Sequence, residues 1–324
     1  MTGAVKKVLV IQAGSIAEFV LSLAAMKRIR LAHPHARITL LTVPQFEALA
    51  RASPYFNHVD TGARPMAPGE WLALRGQILQ AKYDRVYDLE SSPTSRFLFR
   101  ILWPFPPAWS GAVGGARLRH RNPALERMHT LERHAEQLQV AGVWPDAPTN
   151  SGDAPPPDLS WILRRAHEPR PVAGAAPPKP FVLLVPGGGE AKPEKRWPVA
   201  NYAELARRLK ARGFDIVIIG GPAESAMARA IQKVVGQARD LTGRTDFAQI
   251  AVLGARSVLA VGNNTGPLHL IAAAGAPTIA LFDGADDTLV RAPRGHVAVI
   301  QAPTLAELSI ETVANTAWSL LPRD

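Results

Sequence analysis

Three short segments of this 324-residue chain carry residue types that could do chemistry, two of them on a phosphorylated ligand and the third on a hydroxyl. In the first, Gly187, Gly188 and Gly189 follow an apolar run, and Lys195 and Arg196 come a few residues later. Glycines let backbone approach a ligand closely, and the neighbouring cations supply charge beside it. The spacing is neither a Walker loop nor a dinucleotide fingerprint, and a solvated surface loop accounts for the same residues. In the second, Asn263-Asn264-Thr265-Gly266-Pro267-Leu268-His269 leads from the end of a buried strand into a helix. Such a helix start offers free N–H groups and a positive dipole end, which suit a diphosphate; an ordinary turn with Thr265 as N-cap is the plainer alternative. In the third, Gly14-Ser15-Ile16-Ala17-Glu18 sets one carboxylate at a strand-to-helix turn. There it could accept a proton from a hydroxyl, or simply stabilise the helix dipole.

Positioning these segments is a task for alternating strands and helices. Lys7 to Ile11, Ala36 to Val43 and Tyr83 to Leu89 read as strands, with helices through about Ala32 and over Phe46 to Ala52. Prolines crowd between Pro145 and Pro180, and a short helix over Leu159 to His167 is expected within that connector. The alternation then restarts: strands at Phe181 to Val185, Asp215 to Gly220, Ser257 to Val261 and Pro277 to Phe282, and helices at Val199 to Arg212, Ala223 to Val235, Phe247 to Ala255 and Leu268 to Ala274. A last helix is expected from about Leu305 to Leu321. This pattern implies parallel βαβ units with right-handed crossovers in two domains, 1–150 and 181–324, joined by a linker over 151–180.

Composition narrows the function classes. With 47% hydrophobic and 20% charged residues the chain has material for well-filled cores. It has no cysteine, which excludes disulfides and thiolate metal sites. A formal net charge of +10 favours phosphates, nucleic acid or an anionic membrane face without choosing among them. The apolar run from Val8 to Ala25 is interrupted by Gln12, Gly14 and Glu18, so it reads as strand, turn and helix rather than a leader. No stretch reaches the ~20 apolar residues of a spanning helix, leaving peripheral contact as the form any membrane association takes. Asp286-Asp287 lacks the spacing or histidine partner of a metal site, and none is expected. Arg96, Arg100, Arg117, Arg119, His120, Arg121 and Arg133, with His129 and Glu132 nearby in sequence, would hold an acidic acceptor, or form a solvated basic face. Trp103, Phe105 and Trp109 lie in the same region and either touch a membrane or fill the core.

Taken together, the three segments resemble glycosyltransferase family 9, the ADP-heptose:lipopolysaccharide heptosyltransferases and their relatives. That family has a Gly-x-x-Gly-Asp turn after its first strand, a Gly/Ser-rich loop ending in Lys-Arg-Trp-Pro, and a later Asn-Asp-Thr-Gly-Pro-x-His stretch. The counterparts here are Gly14 to Glu18, Gly187 to Pro198, and Asn263 to His269, with further echoes at Ile219 to Glu224 and Asp240 to Gly243. The resemblance implies an α/β fold of the GT-B kind, two Rossmann-like domains with parallel sheets facing across a cleft. It also implies an inverting, metal-independent transfer of a heptose or similar sugar, needing no cofactor beyond its nucleotide-sugar substrate, which in the family pattern is ADP-heptose. Glu18 would be the base and Lys195 would neutralise the leaving diphosphate. Gly187, Gly188, Gly189, Arg196 and Asn264 would line the donor site. Thr265, Gly266 and Leu268 would present backbone to the diphosphate, His269 would support their turn, Glu224 would accept from the ribose, and Thr242 and Thr245 would lie near the base. The acceptor would be a lipid-linked anionic saccharide of the lipopolysaccharide core, held by Arg96, Arg117, Arg119, Arg121 and His129. The setting would be the cytoplasm at the inner face of a bacterial membrane, with no nucleic-acid partner.

Two departures from the family pattern stand out. Glu18, preceded by Ala17, replaces a Gly-Asp pair, and Asn264 replaces an aspartate. They motivate the alternative of a catalytically weak relative that binds a nucleotide sugar or acidic glycan. A nicotinamide-dependent oxidoreductase would share the βα pattern, but no Gly-x-Gly-x-x-Gly follows the first strand.

Overall fold

The computed structural model describes residues 5–148, 152–163, 177, 179–188 and 196–322. The chain divides into two compact units, Met1–Pro157 and Asp158–Asp324. The first opens with β1 (Lys7–Ile11), α1 (Ile16–Ala32), β2 (Arg37–Leu41), α2 (Glu47–Ala52) and β3 (His58–Asp60). It continues through α3 (Pro68–Ala81), β4 (Arg85–Asp88), α4 (Pro93–Ile101), β5 (Ala108–Gly111), β6 (Leu118–Arg119) and α5 (Thr130–Val140). The second contains β7 (Phe181–Val185), α6 (Val199–Ala211), β8 (Asp215–Ile218), α7 (Ser225–Val235), β9 (Arg239–Asp240) and α8 (Phe247–Arg256). After these come β10 (Leu259–Asn263), α9 (Gly266–Ala273), β11 (Thr278–Asp283), α10 (Thr288–Arg291), β12 (Val297–Ala302) and α11 (Ile310–Leu320).

Each unit builds one six-stranded sheet, β3-β2-β1-β4-β5-β6 and β12-β11-β10-β7-β8-β9, and the strand pairs are parallel. Read from β9, the second order is the first repeated: third, second, first, fourth, fifth, sixth. Parallel sheets need apolar cover on both faces, and the central strands meet that need: all five residues of β7 are buried. On one face Val182, Leu184, Ile216 and Ile218 pack under Tyr202, Leu205 and Ile231. In the first unit Leu9, Ile11 and Val86 pack under Leu74, Ile78 and Leu98. Burying each such side chain contributes roughly 1.5–3 kcal/mol, so truncating one, as in Leu184→Ala, would cost about 2–5 kcal/mol.

Helix α1 illustrates how local sequence sets these elements. Its residues are mostly strong helix formers. Ser15 and Glu18 close a capping box at its start, and His33 ends it just before Pro34.

The proline-rich stretch is occupied at both ends. Glu132 Oε1 accepts from Gly152 N at 2.8 Å, and Ala154 packs with Leu21 and Leu131, which binds that end to the first unit. Leu159, fully buried, donates its N–H to Ala273 O at 3.0 Å, so the second unit begins before the prolines end. The expected helix over Leu159 to His167 is a 3-10 turn, Ser160–Leu163, as far as the described residues extend. The final helix starts at Ile310 rather than near Leu305, because Ser309 caps it, its side chain accepting from Thr312 N.

Candidate active site

Open parallel sheets bind ligands at the carboxyl ends of their strands, where the strand order reverses. In the second unit that point lies between β7 and β10. The glycine loop leaves β7 there, and the Asn263–Gly266 turn leaves β10 beside it. Asn263, 1% exposed, fastens the two. Its Nδ2 donates to Pro186 O and Gly187 O, both at 2.9 Å, while its Oδ1 accepts from Trp197 N at 3.1 Å and Tyr202 Oη at 3.0 Å. Trp197 is anchored further by its Nε1 donating to Leu308 O at 2.9 Å. Close approach of the strands also depends on Gly262, where a Cβ would stand 2.7 Å from Val185 Cβ. Gly189 and Lys195 lie outside the described residues; Gly187, Gly188 and Arg196 lie within them.

The start of α9 departs from an ordinary capped turn. Thr265 occupies the N-cap position in extended conformation, yet its side chain makes no capping bond. Its Oγ1 is buried without a partner among the described residues. Leu268 donates its N–H to Thr265 O at 3.0 Å and its side chain is fully buried, so it serves the core rather than offering a free amide. The amides of Thr265 and Gly266 remain available, with no acceptor among the described residues. His269 stands behind the turn, its Nε2 3.2 Å from Asn264 Oδ1.

The neighbouring strand ends add the next groups. Glu224, 8% exposed, accepts from Gly221 N at 2.7 Å, and its carboxyl carbon lies 3.2 Å from where a Cβ on Gly187 would be. Glycine at 187 therefore makes room for this acid beside the β7 loop. From β9 onward, Gly243 N donates to Gly220 O at 2.9 Å, seating the Thr242–Thr245 segment against the β8 loop. Thr242 Oγ1 is already engaged by Asp240 Oδ1 at 2.6 Å and Ser225 Oγ at 3.0 Å. Thr245 Oγ1 is buried with no partner among the described residues. The structure thus brings Gly187, Glu224, Thr242, Asn264 and Thr265 to the ends of adjacent strands, with Asn263 as a fastener that sequence reasoning left unassigned.

In the first unit the order reverses between β1 and β4, and Glu18 lies at that point. Its Oε2 accepts from Ser15 N at 2.8 Å and Ser15 Oγ at 2.9 Å; Oε1 accepts no hydrogen bond among the described residues. A Cβ at Gly14 would fall 2.5 Å from Oε2, so this carboxylate position requires glycine there. Nearby, Asp88 is fully buried at the end of β4, accepting from Ser91 N and Ser95 Oγ, both at 2.8 Å. Burial pushes its pKa up to about 6, against those hydrogen bonds. Burial lowers the pKa of Arg133, while Glu18 and then Asp88 act on it in the opposite sense, so its guanidinium lies in the field of both carboxylates. Arg64 pairs with Glu90 and donates to Ala13 O at 2.8 Å, bracing the same turn.

The acceptor candidates separate into two groups. Arg96, Arg117, Arg119 and Arg121 are exposed and make no ion pair among the described residues. His129 is instead 3% exposed, its Nδ1 accepting from Leu131 N at 3.2 Å as the cap of α5, with the buried Glu132 Oε2 also 3.2 Å from that nitrogen, so the side chain lies inside the fold. Among the described residues no cluster of three or more His, Asp or Glu could hold a metal ion. Asp287 caps α10, its Oδ1 accepting from Leu289 N at 3.0 Å.

Comparison with known proteins points one way. The model of glycosyltransferase family 9 (heptosyltransferase) matches residues 71–309. The chain is 25% identical over 299 residues to lipopolysaccharide heptosyltransferase 2 of Escherichia coli K12, covering 85% of this chain and 82% of that one. It is 28% identical over 223 residues to lipopolysaccharide heptosyltransferase 1 of Pseudomonas aeruginosa, covering 66% and 58%. Among solved structures, the E. coli ADP-heptose LPS heptosyltransferase II matches with a TM-score of 0.79 at 22% identity, over 97% of this chain and 98% of that one. The E. coli heptosyltransferase WaaC with ADP matches with a TM-score of 0.73 at 18% identity, over 97% and 99%. Two parallel α/β sheets with this topology are the GT-B fold.

Proposed function

The chain belongs to glycosyltransferase family 9, the heptosyltransferases, and on that premise we propose that it moves a heptose from ADP-heptose to the saccharide core of a lipopolysaccharide acceptor. One observation carries this reading. At the β7–β10 reversal, two backbone amides and the buried Thr265 hydroxyl have no partner among the described residues at the start of a helix. A diphosphate offers the oxygens those groups need, and the helix dipole favours its charge. Glu224 one strand over suits ribose hydroxyls, and the relatives named for ADP-heptose and solved with ADP support adenine as the base.

The reaction in this proposal is a single displacement that inverts the anomeric carbon. Glu18 takes the proton of the acceptor hydroxyl as that oxygen bonds to the anomeric carbon and the bond to the diphosphate breaks. The amides of Thr265 and Gly266, with Lys195 and Arg196, offset the charge gathering on the leaving group. The lipid-linked acceptor sets the work at the cytoplasmic face of the inner membrane; no described helix is long and apolar enough to cross a membrane.

Glu18→Gln is the direct test. Glutamine can still close the capping box, so the fold and ADP affinity should hold while transfer falls by at least roughly 100-fold. Turnover near wild type would remove Glu18 from the reaction. A second reading, a nucleotide-sugar binder with little turnover, draws on the Glu18 oxygen committed to Ser15; it predicts tight ADP binding and no transfer in the unmodified chain.

A further inference from the structure

We propose that the α4 side of the first unit docks on a lipid bilayer bearing anionic headgroups. Among the described residues, the large aromatic side chains that stand exposed are Phe97, Trp103 and Phe105, at 45%, 66% and 78%. All three fall in α4 and the turn after it, while Leu98, Phe99 and Leu102 between them are buried. Loose packing does not explain this exposure. Trp71 of α3 meets Phe97 edge-on with ring centroids 4.8 Å apart, and Arg75 Nε donates to Ile101 O at 2.7 Å. The following turn is closed by Phe105 N donating to Leu102 O at 3.1 Å. A well-held backbone therefore keeps three aromatic side chains in water. Scattered exposed apolar residues are ordinary, but a concentration on one element marks an interaction surface.

Charge selects the occupant. Residues 91–125 contain five arginines and no Asp or Glu, and all five arginines are exposed without ion pairs among the described residues. The segment that carries Arg117 packs against α4, since a Cβ on Gly115 would lie 3.6 Å from the Phe99 ring. Aromatic tips flanked by arginine suit the membrane–water boundary, where rings sit among headgroups and guanidinium groups meet phosphate. Each arginine near an anionic leaflet strengthens binding by roughly fivefold. Choosing a bilayer over other anionic surfaces rests on the lipid-linked acceptor proposed above.

The test is flotation of the full chain with vesicles of phosphatidylcholine alone and of phosphatidylcholine mixed with phosphatidylglycerol. Binding should be confined to the mixed vesicles, weaken with salt, and fall at least about tenfold in the Trp103→Ser/Phe105→Ser double variant and in Arg100→Glu. Unfolding midpoints near wild type would establish that both variants are folded. The double variant should still use a short, delipidated acceptor at the wild-type rate. Lost transfer with intact vesicle binding in the unmodified chain would count against the proposed function alone. Absence of binding to mixed vesicles, equal binding by the variants, or a dimer that the double variant dissolves would overturn the docking surface.

Discussion

Replacing Asn263 by alanine should damage the fold of the second unit and its nucleotide affinity together. The side chain makes four hydrogen bonds from a position that is 1% exposed. At about 0.5–1.5 kcal/mol each, their loss sums to roughly 2–6 kcal/mol, and a water entering the vacated space would restore part of it. We expect a cost of about 3 kcal/mol, which for a unit of this size lowers the unfolding midpoint by roughly 6–12 °C. Thermal unfolding followed by circular dichroism measures the first effect, and calorimetric titration with ADP the second, expected to weaken by at least about tenfold. Asn263→Asp separates the two roles. It keeps an acceptor for Trp197 N and Tyr202 Oη but turns an anion toward Pro186 O and Gly187 O, so affinity should fall although the Trp197 anchor remains. If Asn263→Ala stayed within about 1 kcal/mol of wild type and bound ADP normally, the fastener assignment would be refuted.

Three further outcomes are expected. Thr265→Val removes a hydroxyl that has no partner among the described residues, so stability should change by less than about 0.5 kcal/mol while ADP affinity drops roughly tenfold; calorimetry and thermal unfolding decide it. Gly14→Ala should re-aim the Glu18 carboxylate, lowering kcat by about 10–100-fold with little loss of stability, because the displaced atom ends a flexible side chain. His134 is held neutral, its pKa lowered to about 3 by burial and then by Arg133. An unfolded histidine titrates near 6.5, so its contribution is complete above that pH and is lost as pH falls toward 3, at up to about 1.4 kcal/mol per unit. His134→Gln should flatten the acid limb of a pH–stability curve measured by urea unfolding.

The second half was the more legible in sequence. Phe181–Val185 is a continuous apolar run and forms the strand it suggests, and Val199–Ala211 shows the apolar spacing of a helix lying on a sheet. In the first half β3, α3, α4, α5, β5 and β6 have no counterpart in the sequence reading, against β9, α10 and β12 in the second. Helix α5 buries Glu132, His134 and Gln137, so polar residues occupy the positions that periodicity searches for apolar ones. Strand β5 is only Ala108–Gly111, too short for alternation to show. The motif residues proved easier to find than their supports. Gly187 and Thr265 announce themselves by type, whereas Asn263 matters through partners 61 to 77 residues away, a relation that local spacing does not encode. Leu268 and His129 show the converse: motif position and residue type suggested ligand contact, while the structure buries both, the first in the core and the second as a helix cap.

The repeated strand order has a thermodynamic corollary. Each half builds its own six-stranded sheet and packs an apolar cluster of its own residues against it. Substitutions more than about 10 Å apart with no shared partners have effects on unfolding that sum, so the residues of one cluster can be varied and read as a set.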